Sequence, residues 1–158
     1  MRIALVGCGA IGSEVLQRLP QLSGLQGLRV DWVLARQPRP DVAAWLAQHV
    51  PGAQLLQALP EDARPDLLVE CAGHSAIATH VLPALRRGIP CLVVSVGALA
   101  APGLVEELAD AARQGGTRVQ LLPGAIGAID ALAAAREGGL AQVTYTCLLY
   151  TSDAADEE

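Results

Sequence analysis

The stretch RIALVGCGAIGSEVLQRL, from Arg2 to Leu19, decides the fold. Its first part, Arg2–Val6, is a short apolar run typical of a buried strand. Its last part, Ala10–Leu19, has the apolar spacing of an amphipathic helix, and Ile11, Val15, Leu16 and Leu19 are expected to face a core. The two parts are joined by GCGAIG, so the sequence predicts a strand, a glycine-rich turn and a helix in direct succession.

The glycines of that turn have the G-x-G-x-x-G spacing of dinucleotide-binding loops. Gly7 permits a tight turn, Gly9 lets the backbone approach a pyrophosphate, and Gly12 lets the helix lie close to the sheet. Free N–H groups at the start of the helix, at Ala10 and Ile11, would then hold the phosphates. The alternative is a glycine-rich turn in an α/β domain that binds no nucleotide.

Strand-like and helix-like runs alternate along the chain, which predicts an α/β fold with a doubly wound, mostly parallel sheet of the Rossmann type. The predicted strands are Arg2–Val6, Leu28–Leu34, Ala53–Leu56, Leu67–Cys71, Cys91–Ser95 and Val119–Leu122, with a further strand opening at Gln142–Thr146. The predicted helices are Ala10–Leu19, Asp41–His49 with Asp41 as its N-cap, Ser75–Arg87, Pro102–Gln114 and Ile126–Arg136.

Composition excludes several classes of function. Of the 158 residues, 52% are hydrophobic and 17% charged, which suits a folded domain rather than a disordered chain. A net charge of −5, with no basic run, argues against nucleic-acid binding. All eleven basic residues are Arg, so Schiff-base chemistry on a lysine is excluded. The four scattered cysteines predict neither a zinc site nor a disulfide framework and suit a cytoplasmic protein, and no stretch predicts a membrane span.

The end of the second strand favours an adenosine contact at Arg36. Asp31 has the spacing of a ribose-binding acid, but the strand continues through Trp32-Val33-Leu34, so Asp31 lies too early in it. An Arg after the strand can stack on adenine or contact a 2′-phosphate, and the predicted cofactor is therefore NAD or NADP. The alternative for Arg36 is a solvated loop cation.

Two loops of small residues follow the inner strands, where ligands of doubly wound sheets bind. One is Cys71-Ala72-Gly73-His74, and the other contains Ser95 and Gly97. His74 would be an acid or base or a hydrogen-bond donor to the cofactor, whereas His49 and His80 are expected at the surface. No paired carboxylates, nucleophile–base set or metal cluster is recognisable, so no catalytic residue and no metal ligand is assigned.

Four phrases of the sequence together resemble the bacterial L-aspartate dehydrogenase family. They are VGCGAIGSEVL at 6–16, LLVECAGHSAI at 67–77, VVSVGALA at 93–100 and LLPGAIGAIDALAAAREGGL at 121–140. The resemblance implies NAD- or NADP-dependent oxidation of L-aspartate to iminoaspartate, which hydrolyses to oxaloacetate and ammonia and can feed NAD biosynthesis. It also implies a cofactor contact at Ala125, and it places the catalytic histidine in a following domain with no counterpart here.

The final segment, CLLYTSDAADEE at 147–158, resembles a translated sequencing adapter and is expected to be non-native. Residues 1–146 are then the dinucleotide-binding domain, and the catalytic second domain is truncated. We expect this chain alone to be inactive and the full-length protein to be a homo-oligomer. The alternatives are a homoserine-dehydrogenase-like or dihydrodipicolinate-reductase-like enzyme with the same front half, and a nucleotide-sensing domain without catalysis.

Overall fold

The computed structural model describes residues 1–22, 24, 27–123 and 129–144. The strands are β1 (Arg2–Val6), β2 (Arg29–Leu34), β3 (Gln54–Leu56), β4 (Leu67–Glu70), β5 (Cys91–Val93) and β6 (Val119–Leu121). The α-helices are α1 (Ala10–Arg18), α2 (Pro40–His49), α3 (Leu82–Arg86), α4 (Leu104–Gln114) and α5 (Ile129–Glu137). Shorter turns of 3₁₀ helix lie at Leu19–Gln21 and Val96–Ala100, and a π-helical turn covers Ile77–Val81.

The six strands of the described ranges belong to one parallel sheet in the order β3-β2-β1-β4-β5-β6. This is the order of a doubly wound dinucleotide-binding fold, and it reverses direction between β1 and β4. The predicted fold class is therefore confirmed. Each predicted strand up to residue 122 is present; β1 has the predicted bounds, and each of the other five differs from its prediction at one end by one or two residues.

Two apolar clusters cover the two faces of the sheet. Ile3, Leu5 and Val33 pack with Leu16 of α1 and Leu46 of α2 on one face. On the other face, a larger cluster joins the sheet to α3, α4 and the π-helical turn; its fully buried members include Ala4, Leu34, Leu68, Ile77, Val81, Leu85 and Val93. Because both faces of a parallel sheet must be covered, its strands are continuous apolar runs.

The predicted orientation of α1 is partly wrong. Gly12 and Leu16 are its buried residues, whereas Ile11 and Val15 are 54% and 37% exposed. The helix turns its glycine toward the sheet because only a residue without a side chain fits there: a Cβ on Gly12 would lie 2.2 Å from the carbonyl oxygen of Gly7. That contact leaves two apolar side chains on the outer surface.

Other predicted helix boundaries also change. Pro40 is the first residue of α2, so Asp41 lies in the first turn and is not the N-cap. The helix predicted from Ser75 widens into a π-helical turn before Pro83, whose ring lacks the N–H that the carbonyl of Thr79 would accept in an α-helix.

The chain divides into two compact units, Met1–Ala125 and Ile126–Glu158. The second unit contains α5, which the structure describes from Ile129 to Glu137, whereas the predicted start of this helix at Ile126 lies outside the described residues. Residues 142–144 of the last predicted strand have no regular structure, and 145–158, including the tail, lie outside the described residues. No helix in the described ranges is long and apolar enough to cross a lipid bilayer.

Candidate dinucleotide-binding site

The three glycines after β1 have different surroundings. Gly7 has a φ of +94°, and a Cβ there would lie 2.8 Å from both Cα of Ala72 and the carbonyl oxygen of Cys71. A Cβ on Gly12 would likewise lie too close to backbone, at 2.2 Å from the carbonyl oxygen of Gly7. A Cβ on Gly9, in contrast, would meet nothing within 4 Å. Packing therefore accounts for Gly7 and Gly12, whereas at Gly9 the missing side chain leaves open space beside the backbone.

This open space belongs to a cleft of about 700 Å³ at the carboxyl ends of the strands. The cleft brings together five of the predicted site residues: Gly7, Gly9, Arg36, Cys71 and Ala72. The other lining residues are Val6, Leu34, Gln57, Ala58, Ser75, Ala76, Thr79 and His80. Its size is within the range of small-molecule sites, and it adjoins the point where strand order reverses.

The glycine turn fits an anionic ligand. The first intrahelical hydrogen bond of α1 runs from the Ser13 N–H to the carbonyl of Gly9, at 2.9 Å. No side chain caps the start of this helix, and its first turn contains no acidic residue. The N–H groups of the first turn are therefore available to phosphate oxygens. The side chains of Ala10 and Ile11 lie on the outer surface of α1, so any part they play depends on their backbone N–H groups.

Arg36 is exposed at the rim of the cleft, two residues after the end of β2. Its carbonyl accepts a hydrogen bond from Nε2 of Gln57 at 3.2 Å, which ties together the segments that follow β2 and β3. Asp31 lies earlier in β2, where its carboxylate binds Arg29 and Arg2 at 2.5 and 2.6 Å. The hydrogen bond from Arg29 is the main cause that lowers the pKa of Asp31. As predicted, β2 continues past Asp31 to Leu34; that Asp31 does not bind the ribose stays a prediction.

Glu70, which sequence reasoning missed, is the last residue of β4 and has no exposed surface. Its Oε1 accepts hydrogen bonds from the N–H groups of Ala72 and Gly73 and from Oγ of Ser95, each at 2.8 Å. Its Oε2 accepts from the N–H of Ser95 at 3.0 Å. One side chain thus joins the two predicted loops. The available signal was an acidic residue that ends a buried apolar run.

His74 and Gly97 form a second link between these loops. A Cβ on Gly97 would lie 2.9 Å from Nε2 of His74, so the imidazole ring packs directly against the glycine. Gly73, His74, Ser95 and Gly97 do not line the cleft itself. They lie beside it, and their contact with a cofactor stays a prediction. Ala125 lies outside the described residues.

The three cysteines in the described part of the chain are poor nucleophiles, because burial raises the pKa of each thiol. Burial, and then the negative charge of Glu70, raises the pKa of Cys71 to about 11. Burial also raises the pKa of Cys8, and it raises that of Cys91 to about 12. The predicted surface position of His80 is wrong, since this side chain is half-buried, lines the cleft, and has its pKa lowered by burial. The sequence signal for the π-helical turn that contains His80 was Pro83, which follows that turn by two residues.

The parallel sheet, the reversal of strand order and the glycine turn define a dinucleotide-binding domain. Residues 7–122 match the family model described as the NAD-binding domain of homoserine dehydrogenase, and the chain belongs to that family. The predicted cofactor class, NAD or NADP, is confirmed at the level of this family.

Among curated proteins, the chain is similar to L-aspartate dehydrogenases. It is 59% identical to that of Pseudomonas aeruginosa over 150 residues and 56% identical to that of a Polaromonas species over 146 residues. Each match covers 92% of this chain and 54% of the relative, so the chain spans about half the length of these proteins.

Two solved structures show the same fold. Aspartate dehydrogenase from Thermotoga maritima matches with a TM-score of 0.62 at 22% identity, over 87% of this chain and 52% of that one. The WlbA dehydrogenase from Chromobacterium violaceum, solved in complex with NADH and UDP-GlcNAcA, matches with a TM-score of 0.64 at 17% identity, over 77% and 34%.

Proposed function

We propose that this chain is the coenzyme-binding half of an NAD(P)-dependent L-aspartate dehydrogenase. The observation that carries the proposal is the cleft at the carboxyl ends of the strands, with open space at Gly9 and an uncapped helix start beside it. This chain is similar to about half of each of two L-aspartate dehydrogenases, and that similarity supports aspartate as the substrate. The reaction would convert L-aspartate to iminoaspartate, and hence to oxaloacetate and ammonia.

The residues of this chain would place the coenzyme. The N–H groups at the start of α1 would bind the pyrophosphate, and Gly9 would let it approach the backbone. Arg36 would contact the adenosine end, where its planar cation can stack on adenine or bind a 2′-phosphate. The bound coenzyme supplies C4 of its nicotinamide as the hydride acceptor. The cleft would hold that ring at a fixed position at the edge of the sheet.

The remaining chemistry needs groups that we do not assign to this chain. A base must hold the substrate amine deprotonated, and cations or N–H groups must bind two carboxylates. We infer that residues 1–146 form the dinucleotide-binding domain, that 147–158 are a non-native tail, and that a second domain supplies these groups. The chain by itself is then expected to produce no NADH from aspartate. We also propose a cytoplasmic, homo-oligomeric full-length enzyme that serves NAD biosynthesis.

Homoserine is the second candidate substrate, because the matching family model describes homoserine dehydrogenase. Both substrates are oxidised by hydride transfer to the same coenzyme, so the binding domain would serve either. Assays of the full-length protein with aspartate and with homoserine separate the two. Turnover of homoserine alone would replace the proposed substrate and leave the coenzyme site in place.

Calorimetric titration tests the coenzyme site directly. We expect NAD or NADP, oxidised or reduced, to bind the wild-type chain, and Gly9→Val to weaken that binding by at least about tenfold, or ~1.4 kcal/mol. The valine side chain would fill the open space at Gly9 without meeting any protein atom through its Cβ. Equal affinity of the two proteins, or no binding by a folded wild-type chain, would overturn the proposal.

A further inference from the structure

Glu70 is a buried carboxylate without a cationic partner among the described residues. A carboxylate removed from water is costly unless hydrogen bonds replace those it loses. Glu70 receives four hydrogen bonds, of which three come from backbone N–H groups and one from a hydroxyl. An apolar residue at position 70 would avoid that cost, so stability alone does not account for a glutamate at this edge of the sheet.

The donors come from two segments that are far apart in the sequence. Ala72 and Gly73 follow β4, whereas Ser95 follows β5 and is 25 positions from Glu70. The two strands are parallel neighbours, with Glu70 opposite Val93. Glu70 therefore fixes the distance between two loops at the edge of the sheet where the cleft opens.

One of these contacts also reaches the glycine turn. Ala72 lines the cleft and packs closely on Gly7: a Cβ added to Gly7 would lie 2.8 Å from the Cα of Ala72. The N–H that Ala72 donates to Glu70 thus fixes one wall of the cleft. Ser95 donates its hydroxyl hydrogen to Glu70, which leaves only the lone pairs of that oxygen for a ligand.

The two loops lie at the end of the site opposite Arg36. A dinucleotide with its pyrophosphate at Gly9 and its adenosine at Arg36 extends its nicotinamide toward the ends of β4 and β5. We propose that Glu70 is a positioning residue, which holds the loops 71–74 and 95–97 in the arrangement that receives the nicotinamide half of the coenzyme. This inference rests on the coenzyme-binding function proposed above.

The test compares NADH with ADP-ribose, which lacks the nicotinamide, in titrations of the wild-type chain, Glu70→Gln and Glu70→Met. We expect Glu70→Met to bind NADH about tenfold more weakly, or ~1.4 kcal/mol, with a smaller change for ADP-ribose. The NADH affinity of Glu70→Gln should lie between those of the wild type and Glu70→Met. The glutamine oxygen can still accept hydrogen bonds at the Oε1 position, but its NH₂ group cannot accept from the N–H of Ser95. Leu108→Ala, which shortens a buried side chain of α4, is the control for stability loss alone.

Equal weakening of both ligands by Glu70→Met, or the same pattern in Leu108→Ala, would overturn the inference and make Glu70 a purely structural residue. If Glu70→Met does not fold, Ser95→Ala removes one hydrogen bond to the carboxylate and should still weaken NADH selectively. Unchanged NADH binding by a folded Ser95→Ala would then overturn the inference. A wild-type chain that binds neither ligand would refute the coenzyme site itself, which separates the two failures.

Discussion

Replacing Gly12 with alanine should destabilise the domain, although alanine is the better helix former. Gly12 lies in the first turns of α1, and a Cβ there would lie 2.2 Å from the carbonyl oxygen of Gly7 and 3.0 Å from its carbonyl carbon. Apart from atoms of its own residue and its chain neighbours, a real Cβ essentially never comes closer than 3.0 Å to a heavy atom. The obstacle is backbone, so either α1 must move away from the sheet or the turn at Gly7 must shift.

The expected cost follows from two opposing effects. Overpacking of a closely packed contact costs up to about 3 kcal/mol. Alanine in place of glycine within a helix returns about 1 kcal/mol. The net loss is about 2 kcal/mol in the free energy of unfolding, which corresponds to a fall in Tm of about 6 °C for a chain of this size.

Thermal unfolding followed by circular dichroism measures this effect, and Gly9→Ala is the matched control. A Cβ at Gly9 meets nothing within 4 Å, and φ there is −83°, which any residue adopts. The stability of Gly9→Ala should change by less than about 1 kcal/mol, because reduced freedom of the unfolded chain offsets a poorer N-cap. A Gly12→Ala protein as stable as Gly9→Ala would refute the packing argument for this motif.

Three further predictions concern single residues around the sheet. Arg36→Ala should weaken NADPH more than NADH in calorimetry, because the 2′-phosphate loses a cation; equal losses would place Arg36 outside the phosphate site. Asp31→Asn should lower stability by about 1 kcal/mol at neutral pH. Because Arg29 lowers the pKa of Asp31 in the fold, that difference should shrink as pH falls below about 4, and a constant difference in pH-dependent denaturation would contradict it. Gly97→Ala should displace His74, seen as shifted imidazole resonances with little change in Tm.

The sequence predicted the fold well because both of its signals are local. Continuous apolar runs predict buried parallel strands, and the glycine spacing after β1 predicts the strand–turn–helix unit. The rotation of α1 was less accessible. Its apolar period favours Ile11 and Val15 as buried residues, but the close approach of Gly12 to Gly7 turns that face outward. The distance between Gly12 and Gly7 depends on backbone geometry, and the spacing of apolar residues carries no information about it.

The site was predicted in part for a similar reason. Gly7, Gly9, Arg36, Cys71 and Ala72 follow strand ends, and a parallel sheet gathers all strand ends at one edge. The role of Glu70 depends on donors in two separate loops, which only the folded chain brings together. His80 lines the cleft because it lies in a π-helical turn. That turn, which precedes Pro83, changes the helix period, so its side chains point in directions that an α-helical pattern does not predict.

The central place of β1 in the sheet has a consequence for how the protein can assemble during synthesis. Among the described strands, β1 comes first in the chain and pairs with β2 on one side and β4 on the other, and each later strand of the six joins an edge that already exists. None of the six described strands has to insert between two others, so a nascent chain can extend the sheet outward in both directions as it leaves the ribosome. Loss of β6 would trim only one edge, whereas loss of Arg2–Val6 would split the sheet into two unconnected parts, one of two strands and one of three.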